Sequence, residues 1–588
     1  MRRFRKLFFI VLFTSVLNVS KGQTPANTDS LIFSAFIIDK TKKDTLSFVS
    51  VYNTSKKKGT ISNFNGYFTL KNVSLNDTII FTSIGYIKQS IVIGPKTIKQ
   101  NIYLEAKQDL LDDVYIYGDN SFLYDLLVSS CKTKYAKSKT AKSYYLLKSS
   151  INNQIHEMVE TYYNGEYSNY NIDALHYKNG RLALKEFNNG LFISLESSKA
   201  LQMHKLTEAN DYFPISPFEL SKKKMKSIYD LRLISKFNND NQSPVYLITF
   251  TPVADSLQYF SGKVWIDSLS SKIVKVELNI QNPKHHPFIL TGKSVKLLDI
   301  NLHLSKTFTI NNNEAVLSTF DFNYNFTYKN SQDSIITIDT KAILKAYDFS
   351  SAFILPFFNY TNASYGDYMK VGATPYNQYF WDRYNDFRLN DFTQENHLFY
   401  TNESSYTNTD FILKTNYYNR GFFEKPYVFW SKNRIIFKED PEDKNFNTAY
   451  SRTMPSDMYK LNAQIYLDII EHQDTIYYLT KTVFDPYESY YRLPLNKYAY
   501  AFINMYFDIV EIHRIELEKE LSICKSVEEM KKKYAQINDE MELILTKFFK
   551  DVEHGTDENG MKFWNNYLKE KLEIDNYHLF KLDKDDEN

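Results

Sequence analysis

His513 and Glu516 stand one helical turn apart in the run Glu511-Ile512-His513-Arg514-Ile515-Glu516. Residues three apart on a helix share a face, so this pair could offer an imidazole and a carboxylate to one zinc ion. Zinc catalysis also needs a third protein ligand and an oriented base, and no companion motif surrounds the pair. It sits on a charged helical face and reads as solvated or partly buried. His285-His286, ahead of Pro287, and Glu471-His472 fall in polar turns between strand-like runs and read as solvent-facing. His-Glu-x-x-His, Gly-x-Ser-x-Gly, a glycine-rich phosphate loop and Cys-x-x-Cys are all missing. A Ser/His/Asp triad assembles in space rather than in sequence, so spacing does not speak to it. No catalytic residue, no metal ligand and no cofactor site is assigned.

Binding chemistry has better candidates. Residues 346–455 are dense in Tyr, Asn and Phe, and within them Tyr379, Phe380, Trp381 and Tyr384 cluster. Such side chains join a large apolar surface to a polar tip and suit a glycan, peptide or protein partner. The competing reading is that they anchor a long segment onto its domain. A second recurrent pattern is Asp, then Ser or Thr, then an aliphatic residue. It occurs at Asp29-Ser30-Leu31, Asp44-Thr45-Leu46, Asp77-Thr78-Ile79, Asp255-Ser256-Leu257, Asp267-Ser268-Leu269, Asp333-Ser334-Ile335 and Asp474-Thr475-Ile476. It resembles an O-glycosylation signal of exported bacterial proteins. Asp-Ser and Asp-Thr are also ordinary turn residues ahead of a strand.

The elements that must carry these residues begin with a run of short strands. Leu31–Ile38, Phe48–Tyr52, Thr60-Ile61, Tyr67–Leu70, Thr78–Phe81, Ser90–Ile93 and Gln100–Leu104 are apolar or alternating and are separated by turn residues. Asn65-Gly66 between two of them suits a tight hairpin, because both residues tolerate positive φ. Gly85 in Ile84-Gly85-Tyr86 suggests a bend at a strand end. Seven short strands in so few residues fit a sandwich. The stretch Gly59–Leu70, with Thr78–Phe81 and Ile84-Gly85-Tyr86, resembles the carboxypeptidase regulatory-like domain, a transthyretin-like β-sandwich common at the start of envelope proteins of the Bacteroidota type. That resemblance spans residues 31–117 and implies an address outside the cytoplasm. The family usually carries Gly in its first strand, where this chain has Ser34 and Ala35.

Export is also written at the N-terminus. Arg2, Arg3, Arg5 and Lys6 precede an uncharged run from Leu7 to Ser20, the layout of a secretory signal. Ser20 and Gly22 are small residues placed for cleavage before Gln23. Losing the five cations of residues 1–22 takes the formal charge from +2 to −3, so the mature chain has no basic excess for nucleic acid. No later run reaches transmembrane length; Ser350–Tyr360 is apolar but too short. Cys131 and Cys524 are expected to be buried and free rather than paired.

Five regions follow: a signal peptide over 1–22, a β-sandwich over 24–118, a β-rich α+β domain over 119–345, aromatic-rich loops and a hairpin over 346–493, and a helical bundle over 494–588. Asp109–Ile116 closes the sandwich, and Ser121–Lys134 reads as a helix. Pro244–Phe250, Phe260–Asp267 and Ile273–Ile280 form an antiparallel meander that resembles the curved half-barrel of lipoprotein-sorting proteins. Leu461 to Ile469 alternates as a strand, and Gln473-Asp474 turns it back. Pro494 opens a helix over 496–521. Ser526 with Glu529 reads as a capping box for a second helix, with Ile537, Met541, Ile544, Leu545, Phe548 and Val552 on its buried face and Gly555 at its end. Met561, Trp564, Leu568 and Leu572 mark a third.

The chain is therefore expected to be multidomain and mainly β with α. Its expected role is a non-enzymatic exported protein of the periplasm or outer membrane. It would bind or scaffold an envelope protein, glycan or peptide through its sandwich and aromatic surfaces. It would have no transmembrane span after cleavage and at most a peripheral outer-membrane association. The alternatives are a component of an outer-membrane receptor or transport system and a secreted hydrolase.

Overall fold

The computed structural model describes residues 31–95, 100–107, 120–132, 137–184, 197–240, 242–254, 257–288, 296–311, 314–330, 332–360, 370–371, 374–384, 428–432, 459–472, 474–485, 489–491 and 497–582. The signal segment, Asp109–Ile116, Asp255-Ser256 and Pro494 lie outside them. The chain divides into two compact units, one of residues 1–83 and 88–105, the other of 84–87 and 106–588.

The first unit is built from seven strands: β1 (Leu31–Asp39), β2 (Ser50–Asn53), β3 (Lys58–Ile61), β4 (Tyr67–Val73), β5 (Thr78–Thr82), β6 (Gln89–Val92) and β7 (Ile102–Leu104). They form one sheet in the order β4-β1-β7 and another in the order β3-β2-β5-β6. Alternation along β1 turns Phe33, Ala35 and Ile37 inward, and β2 and β5 answer with Val51, Ile79 and Phe81. Phe33, Phe68 and Phe81 meet edge to face, with centroids 5.0 Å apart for Phe33–Phe68 and 5.6 Å for Phe68–Phe81. These rings tie the two sheets together.

The Asn65-Gly66 turn corrects an expectation. It does not close a hairpin, because β3 pairs with β2 while β4 pairs with β1. It carries the chain from one sheet to the other. Only Gly66 is left-handed, at φ +78. Asn63 holds the turn, its carbonyl accepting from the Gly66 N–H at 3.0 Å and its Oδ1 from the Asn65 and Tyr67 N–H groups at 2.9 Å. A Cβ at Gly66 would stand 2.7 Å from the Thr45 Cβ. Gly66→Val is therefore expected to destabilise this unit by about 1–3 kcal/mol, read by calorimetry of the mature chain. An unchanged melting profile would contradict the assignment.

The second unit is dominated by a ten-stranded antiparallel sheet. Its strands are β8 (Lys139–Ile151), β9 (Gln154–Ser168), β10 (Asn171–Leu184), β11 (Tyr229–Asn238), β12 (Pro244–Pro252), β13 (Ser261–Asp267), β14 (Lys272–Gln281), β15 (Lys296–Asn311), β16 (Glu314–Lys329) and β17 (Ile335–Asp348). The order is β10-β9-β8-β17-β16-β15-β14-β13-β12-β11. The expected three-strand meander is thus part of a larger sheet that leaves β10 and β11 at its edges. One face is apolar because period two puts alternate residues there. On β16 these are Phe320, Phe322, Tyr324, Phe326 and Tyr328. Helices α1 (Ser121–Cys131), α2 (Ser197–Met203) and α3 (Lys222–Ile228) supply Leu123, Leu127, Ala200, Leu201 and Met225 to the same core. Cys131 and Cys524 are free and half-buried.

Past the sheet, a short helix α4 (Gln378–Arg383) precedes β18 (Val428–Phe429), β19 (Tyr459–Lys460), β20 (Ala463–His472), β21 (Thr475–Phe484) and β22 (Tyr490–Tyr491). Strands β20 and β21 make the expected hairpin. Helices α5 (Lys497–Leu521), α6 (Val527–Val552), α7 (Glu558–Leu572) and α8 (Asn576–Leu579) follow. Ile465, Leu467 and Ile469 of the hairpin pack with α5, whose Ala501–Ile512 stretch is buried nearly all round. Ser526 caps α6 by accepting from the Glu529 N–H, but the Glu529 carboxylate reaches the Lys525 N–H, one residue before the cap. Among the described residues no helix is long and apolar enough to cross a membrane.

Candidate functional site

The aromatic cluster 379–384 lies on α4, which packs against the hairpin and the β8–β9–β10 end of the large sheet. A β-bulge sets this up. The register of β10 slips between Tyr177 and Asn179, which takes Lys178 out of the alternation. Its Nζ donates to Asp468 Oδ1 on β20 and to the Ile354 and Ile469 carbonyls, at 2.6 and 3.0 Å. Asp468 Oδ2 accepts from the Asn377 amide at 2.8 Å, and the Asn377 Oδ1 caps α4 through the Phe380 N–H at 3.3 Å. One chain of bonds thus runs from sheet to hairpin to helix. Burial holds the Lys178 ammonium below the usual lysine range, and the Asp468 charge opposes it.

A second buried group stands beside the first. Arg181 Nε donates to Glu160 Oε2 at 2.7 Å, and the Tyr144 hydroxyl donates to Glu160 Oε1 at 2.7 Å. The Arg181 guanidinium lies 4.0 Å from the centre of the Trp381 ring. Tyr162 packs edge-on to Phe380 and Trp381, at 5.2 and 5.7 Å between centroids, and its hydroxyl donates to the Tyr384 carbonyl.

The expected surface cluster therefore divides. Phe380 and Trp381 are buried; consecutive helix residues lie about 100° apart, and these two face the sheet. Tyr379 stays 46% exposed, and Tyr384 is half-buried, its hydroxyl donating to the Glu471 carbonyl at 3.1 Å. The Tyr379 ring stacks on Tyr477 of β21 at 5.4 Å and 24°. The Arg383 guanidinium lies 3.6 Å over Tyr477 and 5.8 Å from the Tyr379 ring. His472 meets Tyr384 edge-on at 5.6 Å. The result is an aromatic shelf on a buried, hydrogen-bonded foundation. Among the described residues it offers stacking surface and one guanidinium.

The histidine candidates fall elsewhere. The helix face expected to be solvated or partly buried is half-buried at Glu516 and fully buried at His513, whose Nδ1 lies 2.8 Å from the Ile509 carbonyl. His513→Ala should accordingly lower the melting temperature. His285 is exposed and His286 is half-buried beside Phe288. Among the described residues no group of three or more His, Cys, Asp or Glu side chains is placed to hold a metal ion.

Nothing in the local sequence pattern draws Lys178, Asp468, Glu160, Arg181, Asn377, Arg383 and Tyr477 together. A usable signal was the single acid Asp468 amid Ile465, Leu467, Ile469 and Ile470, because a charge inside an apolar strand must find a partner. Asp321 carries a similar signal on β16, on the face opposite Phe320 and Phe322. Burial pushes its carboxyl up to about 7, although Lys275 pulls the other way. His303 Nε2 lies 4.0 Å from its Oδ2. A carboxyl raised on folding from its ordinary 3.8 contributes stability that is full below that value and is lost as pH rises through about 7. Asp321→Asn should therefore gain on the wild type as pH climbs from about 4 to 7, with no further gain above. Melting temperatures at pH 4.5, 6 and 8 test this; a difference independent of pH would refute it.

Residues 36–116 match the family model of the CarboxypepD_reg-like domain, in keeping with the seven-stranded first unit. No curated protein matches the sequence. Among solved structures, the Pseudomonas aeruginosa MucA/MucB complex is similar at 8% identity over 38% of this chain and 93% of that one, with a TM-score of 0.15. A LolA superfamily protein from Nitrosomonas europaea is similar at 9% identity over 38% and 93%, with a TM-score of 0.13. At these scores the likeness carries no functional argument.

Proposed function

We propose that this is a non-enzymatic exported protein of the cell envelope, in the periplasm or at the outer membrane, that binds its partner through the α4–β21 shelf. The observation that carries this reading is the exposed Tyr379 stacked on Tyr477. It is held in place by the buried Phe380, Trp381 and the Asn377–Asp468–Lys178 bonds. Ordering two aromatic rings before binding lowers the entropy lost on contact. The basic N-terminal segment and the CarboxypepD_reg-like match support the envelope address. The receptor-component and hydrolase alternatives have no comparable observation behind them.

The test is capture from envelope extract by the mature chain, compared with a Tyr379→Ala/Tyr477→Ala variant. The expected result is a defined ligand whose retention falls at least tenfold in the variant while the melting temperature holds. Equal retention by both proteins would refute the shelf as the binding surface. N-terminal sequencing should find the mature chain starting at or near Gln23; a full-length cytoplasmic product would refute the address.

A further inference from the structure

Arg383 is the unusual member of the shelf. An arginine that packs for stability normally pairs with a carboxylate or spends its N–H groups on carbonyls, as Arg181 does with Glu160. Arg383 does neither in full. Its Nη1 donates to the Tyr379 carbonyl at 3.1 Å, and its remaining N–H groups meet no protein acceptor among the described residues. The cation is held flat by Tyr477, at 3.6 Å. A guanidinium fixed by stacking keeps its fork oriented while its edge stays open.

Among the described residues no acid pairs with Arg383. Asp382, three residues on from Tyr379, accepts from the Gln378 amide at 2.9 Å. Glu471 neighbours Ile470 on β20, and alternation sends it to the other side of the hairpin from Asp468, Ile470 and His472. Among the described residues the shelf thus offers one half-buried guanidinium with N–H groups to spare, beside the exposed Tyr379 ring.

We propose that the shelf recognises an acidic glycan, with Arg383 taking a sugar carboxylate in a two-pronged hydrogen bond and the exposed Tyr379 ring, backed by Tyr477, carrying the apolar face of the sugar. The inference rests on the reading of the shelf as a binding surface. Bidentate carboxylate recognition matches the geometry of the fork. An aromatic face matches the C–H face of a pyranose, whereas an acidic peptide would use the charge and leave the rings idle.

The experiment is calorimetric titration of the mature chain with oligogalacturonate, its methyl-esterified form and poly-glutamate. Oligogalacturonate should bind, and esterification should weaken it at least tenfold, since the carboxylate is gone. Arg383→Lys keeps the charge but loses the fork and the stack, and should weaken oligogalacturonate binding about tenfold or more. Arg383→Gln should cost at least as much, and neither variant should move the melting temperature. No binding of oligogalacturonate, equal affinity for the esterified form, or a preference for poly-glutamate would each overturn the proposal. If the esterified form binds as well as the acid and Tyr477→Ala abolishes both while Arg383→Lys does not, the shelf remains a binding surface and only the acidic ligand falls. If no probe responds to Arg383 or Tyr477 and envelope capture is also unchanged, the surface itself is refuted.

Discussion

Lys178→Met and Asp468→Ala should each destabilise the second unit by about 3–5 kcal/mol, the range for removing one member of a buried ion pair. Both side chains are essentially inaccessible, at 1% and 0%. Removing the lysine leaves a carboxylate with only the Asn377 amide as partner among the described residues and strips two carbonyls, those of Ile354 and Ile469, of a donor. Removing the aspartate leaves a buried ammonium. The double replacement Lys178→Met/Asp468→Ala should cost clearly less than the two single effects together, because neither charge is stranded. Urea unfolding of the four proteins checks this. Single variants within about 0.5 kcal/mol of the wild type would mean that the pair does not hold hairpin to sheet.

Trp381→Ala should cost about 3–5 kcal/mol, as expected for a buried large aromatic. The ring is 1% exposed, packs on Tyr162 and Phe380, and covers the Arg181 guanidinium. Two residues earlier, Tyr379→Ala should fall within about 0.5 kcal/mol of the wild type, the usual range for a surface position. Thermal unfolding and ligand capture on both variants separate the roles. Trp381→Ala should lose stability and Tyr379→Ala should lose binding. The reverse result, a stable Trp381→Ala protein that no longer binds, would place the contact surface on the face assigned to packing.

Much of the architecture was legible in the chain because it depends on local periods. Alternation marked the strands of the first unit and the hairpin Ala463–Phe484, and helical spacing marked Met561, Trp564, Leu568 and Leu572, all of which are buried. The cap at Ser526 was readable for the same reason, since its partner lies three residues away. The Asn65-Gly66 turn was found, but its role was not. Turn chemistry fixes a change of direction, whereas which strands pair is decided by where their apolar faces are buried.

The site was legible only in part. The sequence located the aromatic cluster 379–384 but could not divide it, because α4 is too short for its buried face to declare itself by period. That division comes from the β-bulge at Lys178, from a partner 290 positions away at Asp468, and from Tyr477 on a strand formed long after α4 in the chain. Periodicity sees neighbours within a few residues. Charge pairing and ring stacking across hundreds of residues depend on sheet register and on which surfaces are buried together, and these exist only once the chain has folded.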